Sequence, residues 1–200
     1  MNKFYRLQVK GIISLTDESV AISFDTIGND LFSFISGQYI TIKHEINSEE
    51  IRRAYSICSS NTEDISIGIK RVPKGKMSTF LTTQVKKGDV LEVMPPSGNF
   101  TIKENFLHSV GICAGSGITP ILSIIKATLL KNDSSKFTLL YGNKTVDGSM
   151  FAEELIVLED KYPEHLKIHW VYSQEEVPES IKGRLDKQNI QQLLNTFSDL

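Results

Sequence analysis

The spacing of apolar residues changes near residue 104, and this change constrains the fold more than any other feature of the sequence. Before that point apolar residues alternate with small or polar ones, as they do over 20–24, 40–42 and 65–69. A period of two is typical of half-buried β-strands. Because these segments are short, are separated by turn-forming residues and are interrupted by one helical pattern near 78–85, they predict a small antiparallel barrel.

After residue 104 short apolar runs alternate with helical patterns. The apolar runs lie at 108–113, 137–141 and 166–172, and the helical patterns at 121–130, 149–162 and 186–197. Strands that alternate with helices predict βαβ units and a parallel sheet. We therefore predict two domains, a β-barrel over 1–103 and an α/β domain over 104–200.

Composition excludes several classes of function. A formal charge of −2 over 200 residues leaves no basic excess to neutralise phosphates, so we expect no nucleic-acid partner. No apolar run reaches the ~20 residues of a membrane span, and the first residues lack the apolar core of a signal peptide. The two cysteines, Cys58 and Cys113, cannot form a CxxC site or hold an iron–sulfur cluster. We expect a cytoplasmic protein that has no metal site and no membrane partner.

A glycine-rich turn follows the first apolar run of the second half. Residues 114–120 read AGSGITP, and Gly115 and Gly117 allow a tight turn and a close approach of a ligand to the backbone. A turn that leads from a strand into a helix N-terminus favours a phosphate group. The segment YGNK at 141–144 lacks the acidic residue of a Rossmann unit. A turn that only links strand to helix remains the alternative.

Two polar segments of the first half also favour phosphate binding. Arg53 and Tyr55 lie two residues apart, so a strand presents both on one face, with the Ser56 hydroxyl beside them. Gly75 precedes a predicted helix whose Ser78 adds a hydroxyl near free backbone N–H groups, after a run of lysine and arginine. A solvated arginine pair, a core tyrosine and a solvated lysine loop are the alternatives.

Taken together, these motifs resemble the ferredoxin–NADP⁺ reductase-like flavoproteins. RAYS at 53–56, GKMS at 75–78 and GSGITP at 115–120 match the flavin, pyrophosphate and pyridine-nucleotide motifs in order and spacing. GQY at 37–39, IKRVP at 69–73 and YGNK at 141–144 are most similar to reductase components of bacterial oxygenases, of the phenylacetyl-CoA epoxidase or phenol hydroxylase type. The resemblance covers essentially the whole chain. It implies a six-stranded antiparallel Greek-key barrel that binds FAD, followed by a three-layer α/β domain, with a parallel sheet, that binds NADPH or NADH.

The resemblance also implies roles for individual residues. Ser56 and Tyr55 would act at the flavin ring, with the Ser56 hydroxyl near N5. The other residues predicted to bind FAD are Arg53, Ile69, Lys70, Arg71, Gly75, Met77, Ser78 and Thr79. The residues predicted to bind NAD(P) are Gly115, Gly117, Thr119, Asn143, Lys144, Ser173, Gln174 and Arg184, and Lys182 could assist. Glu175 and Glu176 would repel a 2′-phosphate.

The implied function is electron transfer from NAD(P)H through FAD to an iron–sulfur protein such as ferredoxin, a flavodoxin or an oxygenase. The family's nucleotide domain normally continues with further strands that carry a Cys-Gly-Pro turn, which this sequence lacks. The second domain is therefore predicted to be incomplete and the chain to be a shortened reductase. A non-catalytic flavin- or nucleotide-binding module, regulatory or interacting, is the alternative function.

Overall fold

A computed structural model describes residues 3–102, 106–131 and 135–196 of the 200. The chain divides into two compact units. The first contains residues 1–103 together with Thr119–Ala127, and the second contains 104–118 and 128–200. The predicted domain boundary at 103–104 and the predicted end of the last helix at 197 lie outside the described residues.

The first unit is an antiparallel barrel of six strands with one helix. Its elements are β1 (Tyr5–Thr16), β2 (Ser19–Phe24), β3 (Tyr39–Ile46), β4 (Glu49–Ser56), β5 (Ser66–Lys70), α1 (Lys76–Thr83) and β6 (Val90–Ser97). The strands follow the order β4-β3-β6-β1-β2-β5, and every neighbouring pair is antiparallel. An isolated bridge between Ile57, just after β4, and Ile67 of β5 links the two outermost strands of this order. The prediction of a six-stranded antiparallel architecture is confirmed.

The alternating positions form the core of this unit, as their period predicts. Ile22, Ile42 and Ile67 are fully buried, and the partly buried rings of Tyr55 and Phe80 pack against the same cluster. Burial of an isoleucine side chain contributes about 1.5–3 kcal/mol, so this face fixes the register of each strand.

The second unit is built on a parallel sheet. Its elements are β7 (His108–Ala114), β8 (Lys136–Asn143), α3 (Ala152–Lys161), β9 (Leu166–Tyr172), β10 (Ile181–Lys182) and α4 (Lys187–Thr196), and α2 (Ile118–Lys131) follows β7 in the chain. The strand order is β10-β9-β8-β7, and all pairs are parallel. β8 is buried at every position from 137 to 142, as a continuous apolar run in the middle of a parallel sheet should be.

The strand at one edge of this sheet, β7, pairs with β8 alone among the described strands. Two of its apolar side chains, Val110 and Ile112, are 37% and 41% exposed. The predicted strands of this half are confirmed, whereas β10 was missed because two residues are too few to carry a period. Within the described residues no helix is long and apolar enough to cross a membrane.

Candidate cofactor-binding sites

The residues predicted to bind FAD all lie on β4, on β5 or on α1 and the loop before it. The ring of Phe80 on α1 stacks on the ring of His44 on β3, with centroids 3.9 Å apart and planes 11° from parallel. The Lys76 ammonium forms an ion pair with Glu49 at the start of β4. These two contacts hold α1 against the β3–β4 hairpin, so the structure brings the RAYS and GKMS segments into one region of the barrel.

Arg53 and Tyr55 share one face of β4, as their spacing predicts. The Arg53 side chain is exposed, and its Nη1 donates to the carbonyl of Arg52 at 2.7 Å. A guanidinium has five N–H donors, so most of them remain for an anion. Burial raises the pKa of Tyr55 to about 12, although the positive charge of Arg53 opposes that shift. The Tyr55 phenol is therefore neutral at physiological pH and offers a flat, half-buried ring beside a cation.

Ser56 ends β4 and lies opposite Tyr39 of β3. Its side chain is half-buried, and its hydroxyl has no hydrogen-bond partner within the described chain. A half-exposed hydroxyl of this kind can donate to or accept from a ligand.

The loop before α1 needs a glycine because it closes tightly on a serine. A Cβ at Gly75 would lie 2.5 Å from Ser78 Oγ and 3.0 Å from the carbonyl oxygen of Val72. Ser78 Oγ accepts from the backbone N–H of Val72 at 3.1 Å and donates to the carbonyl of Gly75 at 3.2 Å. The predicted pyrophosphate residue Ser78 therefore holds the loop in shape, and the first N–H groups of α1 have no acceptor within the helix itself.

Two of the predicted flavin residues have side chains in the core. Ile69 is 1% exposed and Met77 is 2% exposed. A contact of either with FAD would run through its backbone. Thr79 is half-buried, and its hydroxyl makes no hydrogen bond in the described part of the chain.

Cationic side chains surround this loop. Arg71 is exposed and Lys70 is half-buried, and neither forms an ion pair with a described residue. Lys76 differs, because its hydrogen bond and its charge hold the pKa of Glu49 below the ordinary value. Arg53, Lys70 and Arg71 therefore supply the positive field available to a phosphate.

The residues predicted to bind NAD(P) follow the carboxyl ends of the strands of the second unit. Gly115 follows β7, Asn143 ends β8, Ser173 follows β9 and Arg184 lies two residues after β10. The backbone N–H of Ser173 donates to the carbonyl of Asn143 at 3.0 Å. Open α/β sheets bind ligands at this edge, so the structure brings four segments of the prediction together.

The glycine turn continues directly into α2. Residues 115–117 form a 3₁₀ turn, α2 begins at Ile118, and Thr119 lies buried in its first turn. Gly115 has φ of +51°, which favours glycine, and a Cβ there would meet no atom within 4 Å. The backbone of the turn is therefore open on that side, which suits the approach of a ligand.

A buried tyrosine that sequence reasoning missed lies beneath this turn. Tyr141 is fully buried, and its hydroxyl lies 3.0 Å from the carbonyl oxygen of Gly115 and 3.2 Å from that of Met150. Burial raises the pKa of Tyr141 far above its ordinary value, so the hydroxyl stays a donor. In the sequence it appeared only as the end of the apolar run at 137–141 and the first residue of YGNK, with no role assigned to its hydroxyl.

Asn143 carries a feature that fits a bound nucleotide. Its Nδ2 atom is buried and makes no hydrogen bond of standard geometry with a described residue, although the Asn143 side chain lies close enough to the Tyr141 hydroxyl to counter part of the rise that burial causes in the pKa of that tyrosine. A buried donor without an acceptor costs about 1–3 kcal/mol, so a ligand oxygen there would relieve the cost. Lys144, the next residue, is exposed, and its carbonyl accepts from the N–H of Gln174 at 2.9 Å.

Arg184 reaches this edge because of a glycine that the sequence reasoning passed over. A Cβ at Gly142 would lie 3.0 Å from Cδ1 of Leu185, so the glycine allows Leu185 to pack closely on the end of β8. The N–H of Gly183 donates to the carbonyl of Tyr172 at 2.8 Å. Arg184 lies between these two contacts, and its guanidinium is exposed without a described acidic partner.

The nearby acidic residues are already occupied. Glu175 Oε2 accepts from the N–H of Val146 at 2.7 Å, and Glu176 pairs with Lys182 at 2.6 Å. Lys182, predicted to assist with a 2′-phosphate, therefore already has a carboxylate partner. Gln174 is exposed and Ser173 half-buried. In the described part of the chain no cluster of three histidine, cysteine or acidic residues could hold a metal ion.

Two domain families match the chain in the order that the geometry suggests. Residues 6–102 match the oxidoreductase FAD-binding domain, and residues 112–199 match the oxidoreductase NAD-binding domain. A subunit of the 1,2-phenylacetyl-CoA epoxidase of Escherichia coli K12 is 38% identical over 96% of this chain and 56% of its own length. A ferredoxin reductase component of 3-ketosteroid-9-alpha-monooxygenase from Rhodococcus rhodochrous is 34% identical over 86% of the chain and 50% of its own length. The chain thus spans about half the length of these relatives.

Solved structures share the fold at low sequence identity. The FAD/NAD-binding domain of a nitric oxide dioxygenase from Vibrio cholerae aligns with a TM-score of 0.83 at 22% identity, over 94% of this chain and 81% of that one. Ferredoxin–NADP⁺ reductase from Plasmodium falciparum aligns with a TM-score of 0.81 at 21% identity, over 98% and 83%. With an FAD-binding domain ahead of an NAD-binding domain, the chain belongs to the ferredoxin–NADP⁺ reductase-like flavoproteins.

Proposed function

We propose that this chain passes electrons from NAD(P)H through bound FAD to an acceptor protein. The relatives named as part of an epoxidase and as a ferredoxin reductase component support an oxygenase or a ferredoxin-type iron–sulfur protein as the acceptor, with a flavodoxin as a further option. The observation that carries the proposal is the presence of two glycine loops, at Gly75 and Gly115, each beside further groups suited to a phosphate.

The described residues fit FAD. Arg53 would hold a flavin phosphate with its remaining donors, and Tyr55 would pack its neutral ring on the flavin. Gly75, Met77, Ser78 and Thr79 would hold the pyrophosphate through the loop and the first turn of α1. Lys70 and Arg71 supply positive charge, and Ile69 would contribute its backbone.

FAD supplies the chemistry when bound, because it accepts a hydride and releases electrons one at a time. The chain supplies binding and orientation. The Ser56 hydroxyl, which has no partner in the described chain, would donate a hydrogen bond to a flavin ring nitrogen. Tyr55 would exclude water from one face of the ring, since its pKa of about 12 keeps it uncharged.

The nucleotide half would hold NADPH or NADH along the strand ends. Gly115, Gly117 and Thr119 would bind its phosphates, and Asn143 would donate from its buried Nδ2. Ser173, Gln174 and Arg184 would contact the adenosine ribose, with Lys144 nearby. The exposed guanidinium of Arg184 favours a 2′-phosphate, whereas Glu175 and Glu176 oppose one. We also propose that the FAD-binding domain spans 1–103 and the nucleotide-binding domain 104–200. We propose a cytoplasmic location as well, since both cysteines are free thiols, as is usual in a reducing compartment.

Anaerobic stopped-flow spectroscopy tests the function directly. The purified chain is loaded with FAD and mixed with NADPH or NADH in separate runs, and flavin absorbance is followed. We expect a yellow protein that is bleached by at least one of the two. A yellow protein that neither nucleotide reduces would support the non-catalytic module instead, and a chain that binds no FAD would refute both.

The role of Ser56 has its own test. In protein saturated with FAD, Ser56→Ala should slow the limiting rate of flavin reduction by about tenfold, the effect of one hydrogen bond of about 1.4 kcal/mol in the transition state. An unchanged limiting rate would show that this hydroxyl does not act at the ring.

A further inference from the structure

The Tyr141 hydroxyl connects two segments that follow different strands. It lies 3.0 Å from the carbonyl oxygen of Gly115, after β7, and 3.2 Å from that of Met150, just before α3. Both Tyr141 and Met150 are 0% exposed. The bond to Met150 is buried and the bond to Gly115 is part-buried, so water has little access to the hydroxyl, and a hydrogen bond there is electrostatically stronger than in water.

This contact fixes the orientation of one peptide group in the glycine turn. The carbonyl of Gly115 also accepts from the N–H of Ile118, so two donors hold it toward the protein. In a trans peptide the N–H of the next residue points to the opposite side from the carbonyl. The described chain contains no cis peptide. Holding the Gly115 carbonyl inward thus turns the other side of the peptide away from Tyr141.

The two glycines of the turn supply no side-chain packing that would restrain it. Gly115 has φ of +51°, and no atom lies within 4 Å of where its Cβ would be, so side-chain packing does not fix its conformation. Glycine loses more conformational freedom on ordering than any other residue. A turn of two glycines in three residues can hold a pyrophosphate tightly only if something else orders it beforehand.

We propose that Tyr141 is a positioning residue for the nicotinamide nucleotide, and that its hydroxyl pre-orders the Gly115–Gly117 turn for a pyrophosphate. The inference rests on the proposed function, because it takes that turn as the pyrophosphate site. It adds a residue that contacts no ligand and acts through the Gly115 carbonyl.

Tyr141→Phe tests the proposal by removing one oxygen atom. The full chain, loaded with FAD, is titrated with NADP⁺, with NAD⁺ and with AMP, which has no pyrophosphate. Isothermal titration calorimetry gives the Kd for each nucleotide. Trp170, the single tryptophan, reports by fluorescence whether the surroundings of residue 141 are kept, since its ring centroid lies 5.6 Å from that of Tyr141.

We expect the Kd for the tighter of NAD⁺ and NADP⁺ to rise about tenfold, the value of one hydrogen bond, and the Kd for AMP to stay the same. In stopped-flow, the nucleotide concentration for half-maximal flavin reduction should rise while the limiting rate is kept. Tyr162→Phe is the control, because it removes a phenol hydroxyl after α3, away from the turn. It should change neither Kd.

Several results would overturn the proposal. Equal losses of AMP and dinucleotide affinity would mean that the hydroxyl only supports the fold, and unchanged dinucleotide affinity would mean that it does not order the turn. If the wild type binds neither NAD⁺ nor NADP⁺, the proposed function fails first. If Tyr141→Phe does not fold, 4-aminophenylalanine at 141 restores an N–H donor. That variant should bind the dinucleotide as the wild type does, and a selective loss of dinucleotide affinity would refute the proposal.

Discussion

Replacement of Gly75 by alanine is the sharpest test of the flavin loop. The new Cβ would lie 2.5 Å from Ser78 Oγ, a distance that real Cβ atoms do not tolerate, and 3.0 Å from the carbonyl oxygen of Val72. Gly75 has φ of −75° and ψ of 107°, which alanine adopts without strain. The effect of Gly75→Ala therefore comes from the contact and not from the backbone.

The magnitude follows from what Ser78 must give up. Its hydroxyl would rotate away and lose its bonds to the N–H of Val72, at 3.1 Å, and to the carbonyl of Gly75, at 3.2 Å. Each bond contributes about 0.5–1.5 kcal/mol, so the free energy of unfolding should fall by about 1–3 kcal/mol. Ser78→Ala loses the same bonds without the clash, so its free energy of unfolding should decrease by an amount in the same range. Because the loop shifts, we expect FAD affinity to fall at least about tenfold in Gly75→Ala.

Two measurements on the same samples decide this prediction. Urea unfolding followed by far-UV circular dichroism gives the stability, and titration of FAD with protein, read by flavin fluorescence, gives the Kd. Gly88→Ala is a matched control, because φ there is +94° with no atom within 4 Å, so strain should cost about 1–2 kcal/mol without affecting FAD. A destabilised Gly75→Ala that binds FAD normally would show that the loop is not the pyrophosphate site.

Two further substitutions probe the barrel. Gly37→Ala would place a Cβ 1.9 Å from the carbonyl oxygen of Phe100, at a φ of +98°. We expect urea unfolding to show that the free energy of unfolding falls by more than about 3 kcal/mol, or that no folded protein forms. Stability close to that of the wild type would contradict the structure. Asp64 accepts a hydrogen bond from the backbone N–H of Thr26 at 2.8 Å. Burial alone would raise the pKa of Asp64, but hydrogen bonds from Lys10 and from the backbone outweigh it and hold that pKa below its ordinary value. The ionised Asp64 therefore stabilises the fold at any pH above its ordinary pKa, and this stabilisation is lost as the pH falls through its pKa in the folded state. The free energy of unfolding should be about 1–3 kcal/mol higher for the wild type than for Asp64→Asn at neutral pH, and this difference should close on acidification. A gap that widens toward low pH would refute this reasoning.

The sequence was sufficient for the architecture because period and turn chemistry are local. The alternation at 65–69 predicted the burial of Ile65, Ile67 and Ile69, and the apolar run at 166–172 predicted β9 at its observed limits. Side-chain partners in the candidate sites were not predictable in this way. The bond of Ser78 to Val72, and of Tyr141 to Gly115, depend on how separate segments meet in space.

The same reason explains Gly142, which the sequence presented only as part of the YGNK segment. Its role is to leave room for Leu185, which lies 43 positions later in the sequence. No local pattern encodes that spacing. The pairing of Lys182 with Glu176 is a similar case, since Glu176 lies six positions earlier, in the irregular segment before β10.

The exposed edge of β7 affects how any of these measurements is made. One side of that strand offers backbone donors and acceptors with no described strand beside them, and Val110 and Ile112 are over a third exposed along it. Such an edge is a template for adding strands from other molecules, and its apolar side chains favour association as concentration rises. Association through this edge, and not only affinity, therefore limits the protein concentration usable in the titrations, and static light scattering across that range shows where the average mass begins to rise.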